Sequence, residues 1–310
     1  MARTLRGVFS FGSGLWDPSH RFETSWLLGP WLLFLCRALI VSPPPLLSSP
    51  RDSRRLPPVQ CVYAFTTLLF IIGWTCAHAS LGGCLAVRQS FSFFTVLTYW
   101  GLAFYFLAAA LHTLAYALTG RPLLDRLPRP LQALHALFYT TAVTFPFLVT
   151  LVYWAVLYKP PWFPRQFDAW RNVSQHALNS LFALFELVVP RTAPPPPVHV
   201  VWLLAVLLAY LAVAYITLAA QGFYTYSFLD HDAVGGRGYV AAYVVGIALG
   251  IVVVFGLVYG LIVLRRWVTE TKLGMEGKFA GQPERSDDAE MNIIGHKGVQ
   301  PTEALRSTAA

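Results

Sequence analysis

Two residues in this sequence are the parts of one reaction. Thr95 stands in FSFFTVLTYW (91–100) and His176 in FDAWRNVSQHALNSLFALFELVVP (167–190). A hydroxyl beside an imidazole suits nucleophilic acyl transfer: the imidazole takes the hydroxyl proton and later delivers it to the leaving group. Read as a helix from about Val173, the second stretch places His176, Asn179, Ser180, Ala183 and Glu186 on one face, at i, i+3, i+4, i+7 and i+10. Its other positions are Leu, Phe, Ala and Val. Ionisable groups at membrane depth are costly and mark a functional site by default. Small and polar residues also glue helices together, so this stripe has a packing reading beside the catalytic one. Asn179 and Ser180 are therefore candidate substrate-binding residues. The turn FLDHD (228–232) offers Asp230 and His231, either of which could orient His176 or hold a water.

Those residues need elements to hold them, and composition says what kind. Of the 310 residues, 56% are hydrophobic and only 12% charged, against about 25% charged in soluble domains. Mean hydropathy is +0.53. The chain reads as an all-α, polytopic membrane helix bundle. Apolar runs place six spans near 61–79, 92–118, 132–158, 174–190, 199–222 and 239–264, the fourth being the shortest and most polar. The net charge of +8 fits basic residues gathered on the cytosolic face rather than nucleic-acid binding, since no loop interleaves a basic cluster with aromatics. With six spans, Arg and Lys favour both termini in the cytosol. Thr95, His176 and the 228–232 turn then share the opposite face. Glu186 lies about 15 Å further along its helix than His176 at 1.5 Å per residue. It is too far to orient that imidazole, and it should be buried and either paired or protonated.

Residues 1–60 read as an N-terminal cytosolic segment. Within it, Trp26 to Ile40 is apolar but only 15 residues long, and is either an interfacial helix or a span in its own right. Positions 41–61 (VSPPPLLSSPRDSRRLPPVQC) are too rich in proline for a membrane helix. Without them Ile40 would meet Val62 in one long apolar stretch, the pattern a retained intron leaves; a genuine loop is the other reading. Residues 61–265 form the transmembrane domain, and 266–310 read as a disordered cytosolic tail. Cys36, Cys61, Cys76 and Cys84 show neither metal-ligand spacing nor a disulfide framework. Asn172-Val173-Ser174 is a glycosylation sequon expected to go unused so close to the membrane.

FSFFTVLTYW (91–100), NVSQHALNSLFALFELVV (172–189) and AYITLAAQGFYTYSFLDH (214–231) resemble segments of the FAR-17a/androgen-induced protein family. The resemblance covers roughly residues 62–265. It implies a multi-pass threonine hydrolase that cleaves fatty acid esters of hydroxy fatty acids, with Thr95 matching the family's nucleophile and His176 its histidine. The lipid ester would come from the bilayer and no cofactor would be needed. Gln175 and Asn179 depart from the family pattern, which tends to have Asn and His there. Two other classes stand beside this reading. One is a non-catalytic membrane adaptor or lipid-binding protein. The other is a b-type haem protein, with His78 and His176 at one face or His112 and His135 at the other. The membrane could be the endoplasmic reticulum or the plasma membrane.

Overall fold

The computed structural model describes residues 16–38 and 60–275. Among them all regular structure is helical, apart from one isolated bridge between Ser25 and Pro190. The elements are α1 (Pro30–Ala38), α2 (Gln60–Ala77), α3 (Gly83–Ser90), α4 (Phe94–Thr119), α5 (Arg129–Val152), α6 (Gln166–Val173), α7 (Asn179–Val188), α8 (His199–Gln221), α9 (His231–Val234) and α10 (Arg237–Arg266). A wider π turn extends α5 through Leu157, another joins α6 to α7 across Ser174–Leu178, and a third carries α10 to Lys272.

Local chemistry sets the ends. Gly120, at φ +66°, closes α4 with its N–H on the Tyr116 carbonyl, and Gly222, at φ +75°, closes α8 on Leu218. That left-handed conformation is strained for any residue with a Cβ. Pro130 opens α5 at a position where a missing N–H costs nothing.

Four helical runs are long and apolar enough to cross a membrane: Phe94–Thr119, Arg129–Leu157, His199–Gln221 and Arg237–Lys272. The pair Val62–Ala77 and Ala79–Ser90, bent by 114°, makes a fifth if taken as one span. The expected fourth span is not among them. It is a helical run from Gln166 to Val188 that carries Asp168, Arg171, Asn172, Gln175 and His176. Its neighbours α4, α5 and α10 enclose it, so protein rather than lipid takes up its polar face. The stripe expected to turn inward does so: His176, Asn179, Ala183 and Glu186 are all buried.

The core runs between α4, α5, α7 and α10, through Leu102, Tyr105, Phe106, Tyr139, Val143, Phe182, Leu187, Val254 and Ile262. A second cluster packs α8 against Phe94, Phe145, Leu148, Ile251 and Phe255.

The N-terminal segment is not a separate piece. Ser25 Oγ and Trp26 Nε1 donate to the carbonyls of Val189 and Val188, both at 2.6 Å. Arg21 grips Glu270 with two hydrogen bonds of 2.6 and 3.2 Å. The bundle therefore begins by Trp16 and continues to Lys272, wider at both ends than the expected 61–265. Arg265 closes this arginine-rich end, donating to the carbonyls of Leu187, Pro190 and Thr192.

α1, nine residues long, is too short to be a span of its own and packs onto the bundle. Leu33 and Arg37 are fully buried, and Arg37 reaches Thr113 on the second half of α4. α2 lies on the first half, where Ala64 and Leu68 cluster with Tyr99 and Ala103. The two helices thus succeed one another along α4. Residues 41–59, between them, lie outside the described residues. Deleting 41–61 joins Ile40 to Val62 in one apolar helical pattern, and the shortened protein is expected to purify as a monodisperse species with an unchanged Tm. Aggregation or a lower Tm would assign the stretch a structural role.

Cys76 and Cys84 are disulfide-bonded, their Cα atoms 4.1 Å apart, across the bend between α2 and α3. The sequence spacing gave no sign of this, because the bend that brings the two together is tertiary.

Candidate active site at one end of the bundle

α4 and the α6–α7 run are parallel neighbours. Tyr105 of α4 donates to Glu186 at 3.1 Å, and Phe106 meets Phe182 edge to face. Counting ten residues back from Tyr105 arrives at Thr95, and ten back from Glu186 at His176. Two parallel helices in register keep equal steps at equal depth, so the pair comes to one level. α4 packs directly on the π turn that carries His176.

Thr95 and His176 line the same cavity, of about 500 Å³, with Tyr153, Arg171, Asn172, Gln175 and Tyr226 on its polar side. A second, apolar pocket of about 170 Å³ is lined by Phe94, Leu148, Leu204, Leu207, Leu211 and Phe228. Thr95, Tyr153, Leu157 and Tyr226 belong to both. Thr95 thus sits in the wall between a greasy slot and a wetter chamber.

Four other threonines of the bundle, Thr98, Thr113, Thr140 and Thr269, each donate to a carbonyl three or four residues back on their own helix. Thr95 is the second residue of α4 and has no such helical carbonyl behind it. Its neighbour is the phenol of Tyr226, close enough to act on both its side chain and its backbone. Burial pushes that phenol's pKa up, so it stays a neutral donor.

His176 is held from three sides. Its Nδ1 lies 3.0 Å from the Asn172 carbonyl, its ring stacks on Tyr153 with centroids 3.6 Å apart, and its own carbonyl accepts from Trp154 Nε1 at 2.8 Å. A carbonyl can only accept, so Nδ1 carries the proton and Nε2 is the free base. Asn172 is fixed in turn: its Oδ1 accepts from the Tyr153 hydroxyl at 2.8 Å and its Nδ2 donates to the Asp168 carbonyl at 2.8 Å. The sequon is thereby occupied, and its Ser174 is fully buried.

The other candidates are placed differently. Asp230 caps α9, accepting from the N–H groups of Asp232 and Ala233 at 3.0 and 3.4 Å. His231 Nδ1 pairs with the exposed Asp232 at 2.9 Å. Neither lines the cavity, so the orienting role expected of them falls to the Asn172 carbonyl. Asp230, His231 and Asp232 bring ligand atoms within 4.8 Å of one another, but a surface cap accounts for that. Asn179 and Ser180 face α5: Thr150 bonds Asn179 Oδ1 at 3.2 Å and shares a 2.6 Å bond with Ser180. They join helices and do not line the cavity, so the packing reading holds for this part of the stripe.

Glu186 is buried and paired, as expected. Arg37 clamps it with Nε–Oε1 at 2.9 Å and Nη2–Oε2 at 2.8 Å. Arg37 also donates to the Phe22 carbonyl and to Thr113. Sequence reasoning missed Arg37, Tyr153, Asn172 and Tyr226. The clue available for Arg37 was a lone arginine in an apolar run, with a lone glutamate in another. At the arginine-rich end, the His112 and His135 rings are 4.7 Å apart between centroids, in direct contact, which leaves no slot for a porphyrin between them.

No family model, no curated protein and no solved structure matches this chain.

Proposed function

We propose that this protein is an intramembrane threonine hydrolase that cleaves lipid esters, of which fatty acid esters of hydroxy fatty acids are one class. The observation that carries the reading is the shared cavity, with Thr95 in its wall and His176 Nε2 left as the free base by the Asn172 carbonyl. Thr95 Oγ attacks the ester carbonyl carbon while its proton passes to Nε2. The Tyr226 hydroxyl, the neighbour of Thr95, is the donor that would meet the oxyanion. The imidazolium then protonates the alkoxide as the ester C–O bond breaks. Water, deprotonated by the same nitrogen, cleaves the acyl-threonine and releases the acid. The apolar pocket suits one chain of the ester and the larger cavity the other. The chains of the ester would enter from the bilayer between apolar helices, so the substrate need not leave it.

The cavity end carries the disulfide, which fits an oxidising compartment, and the arginines gather at the other end. Both support cytosolic termini, as protease access to tags in sealed vesicles would test; a protected C-terminus reverses the orientation. Labelling with a fluorophosphonate probe, competed by a lipid ester, tests the chemistry. A folded protein that takes no label and hydrolyses no ester is the adaptor or lipid-binding protein instead. Tyr226→Phe removes one oxyanion donor and is expected to lower kcat by about 100-fold with KM little changed. An unchanged kcat would remove Tyr226 from the site.

A further inference from the structure

We propose that the cleft between α4 and α8 is a lateral port through which one acyl chain of a lipid ester passes from the bilayer to the apolar pocket beside Thr95, with the Phe94 ring as its inner gate. The port rests on the hydrolase reading and adds the route by which that site is filled.

The cleft follows from how three long helices pack. α4, α5 and α8 are each long and apolar enough to cross a membrane. α8 packs on α5 and α10, with no comparable contact to α4. A cleft of about 330 Å³ is left between α4 and α8, and α5 forms its floor. Small residues line it from all three helices: Gly101 on α4, Ala142 on α5 and Ala209 on α8. A Cβ added to Gly101 would meet nothing within 4 Å. Leu97, Val206 and Val213 also line the cleft and are exposed, so it opens on the side of the bundle. That is the side a spanning bundle turns to lipid.

Its lining suits hydrocarbon. Two threonines belong to it, but each hydroxyl is spent on its own helix. Thr98 donates to the Phe94 carbonyl at 2.9 Å and Thr141 to that of Phe138 at 2.8 Å. The Tyr210 hydroxyl donates to the Ser92 carbonyl at 3.0 Å. Among the described residues no charged side chain lines the cleft. A lipid headgroup finds no partner there. An acyl chain exchanges one apolar surface for another and exposes no methylene to water on the way.

The inner end leads to the nucleophile. Phe94 and Tyr210 close the cleft with ring centroids 4.9 Å apart, and the same two residues line the apolar pocket of about 170 Å³. Cleft and pocket thus share a wall made of two rings. Thr95, the next residue after Phe94, lines that pocket too. On α4 the cleft extends from Phe94 to Leu102, about 12 Å at 1.5 Å per residue, so it reaches from the level of Thr95 toward the middle of the bundle. Tyr210 is pinned by its bond to Ser92. Phe94 has no polar anchor, and its ring is the one that turns to join the two spaces. A chain lying in the cleft then threads into the pocket and draws its ester to the Thr95 hydroxyl.

The test uses full-length protein in lipid–detergent mixed micelles and two esters of one chromogenic alcohol, a water-soluble butyrate and a long-chain oleate. Gly101→Leu and, separately, Ala209→Phe fill the cleft at positions remote from His176. Leucine is also a better helix former than glycine, so the first variant should fold as its parent does. Each is expected to lower kcat/KM for the oleate by about 10-fold or more and to leave that for the butyrate unchanged, which also shows the fold intact. Ala205→Phe adds the same bulk at an exposed position of α8 that lines none of the cavities named above, and should change neither ester. Equal losses on both esters in the two cleft variants, or unchanged oleate turnover by both, overturn the port. Turnover of neither ester by the parent protein ends the hydrolase reading, and the port with it.

Discussion

Thr95→Ala is expected to reduce lipid-ester hydrolysis by about 1,000-fold or more and to abolish probe labelling, while leaving the elution profile and Tm unchanged. The side chain lost is small and lies in the wall between the two pockets. What disappears is the nucleophile. His176→Ala should have an effect of the same order, because a threonine hydroxyl is a poor nucleophile unless a base takes its proton. The two act as a unit, so the double variant should be hardly worse than either single one. Two independent losses that multiply would separate the residues and end the assignment. Wild-type hydrolysis by Thr95→Ala would do the same, and the inward stripe would then be a packing seam from His176 to Glu186.

Breaking the Arg37–Glu186 pair should have the largest effect on stability. Both side chains are about 1% exposed and locked in a two-bond clamp. Such a pair is not worth much more than well-packed apolar residues of the same volume. Removing one partner is different, since it leaves the other charge buried and unmatched, at about 3–5 kcal/mol. Glu186→Ala and Arg37→Ala should each lower Tm by roughly 10 °C. The double replacement Arg37→Met with Glu186→Leu should recover most of that loss. A double variant as unstable as the singles would show that Arg37's bonds to Phe22 and Thr113, rather than charge pairing, supply the stability. The cavity end lies ten residues away along α7, so the repaired double variant should keep its probe labelling.

The helices themselves were largely legible in the sequence. Apolar runs placed five of the six expected spans within a few residues of α2, α4, α5, α8 and α10, because hydrophobic length is a local property and a bilayer demands it. The inward turn of the His176 stripe was legible for a related reason: a helix with one polar face has few places to put it. The equal depth of Thr95 and His176 followed from counting along those same helices.

What the residues on that stripe do was decided only in three dimensions. Sequence spacing gives a face, not a partner. Asn179 and Ser180 share the face of His176, yet they bond Thr150 on α5 because that helix crosses there. Asp230 and His231 fall at the right end of the bundle, but Asp230 is used up capping four residues of helix. The carbonyl that orients His176 belongs to Asn172, one turn earlier, and backbone acceptors leave no mark in a sequence. Arg37 and Glu186 are 149 positions apart. Each alone reads as a costly charge in an apolar run, and only the packing of α1 against α4 and α7 makes them a pair. Gly101 and Ala209 are likewise unremarkable where they stand in the chain; the fold sets them in one cleft. The sequence by itself determined the long apolar segments α2, α4, α5, α8 and α10, since these depend on transfer free energy summed along the chain. Only the tertiary structure decided which polar groups inside it meet, since that depends on contacts between segments that the chain keeps far apart.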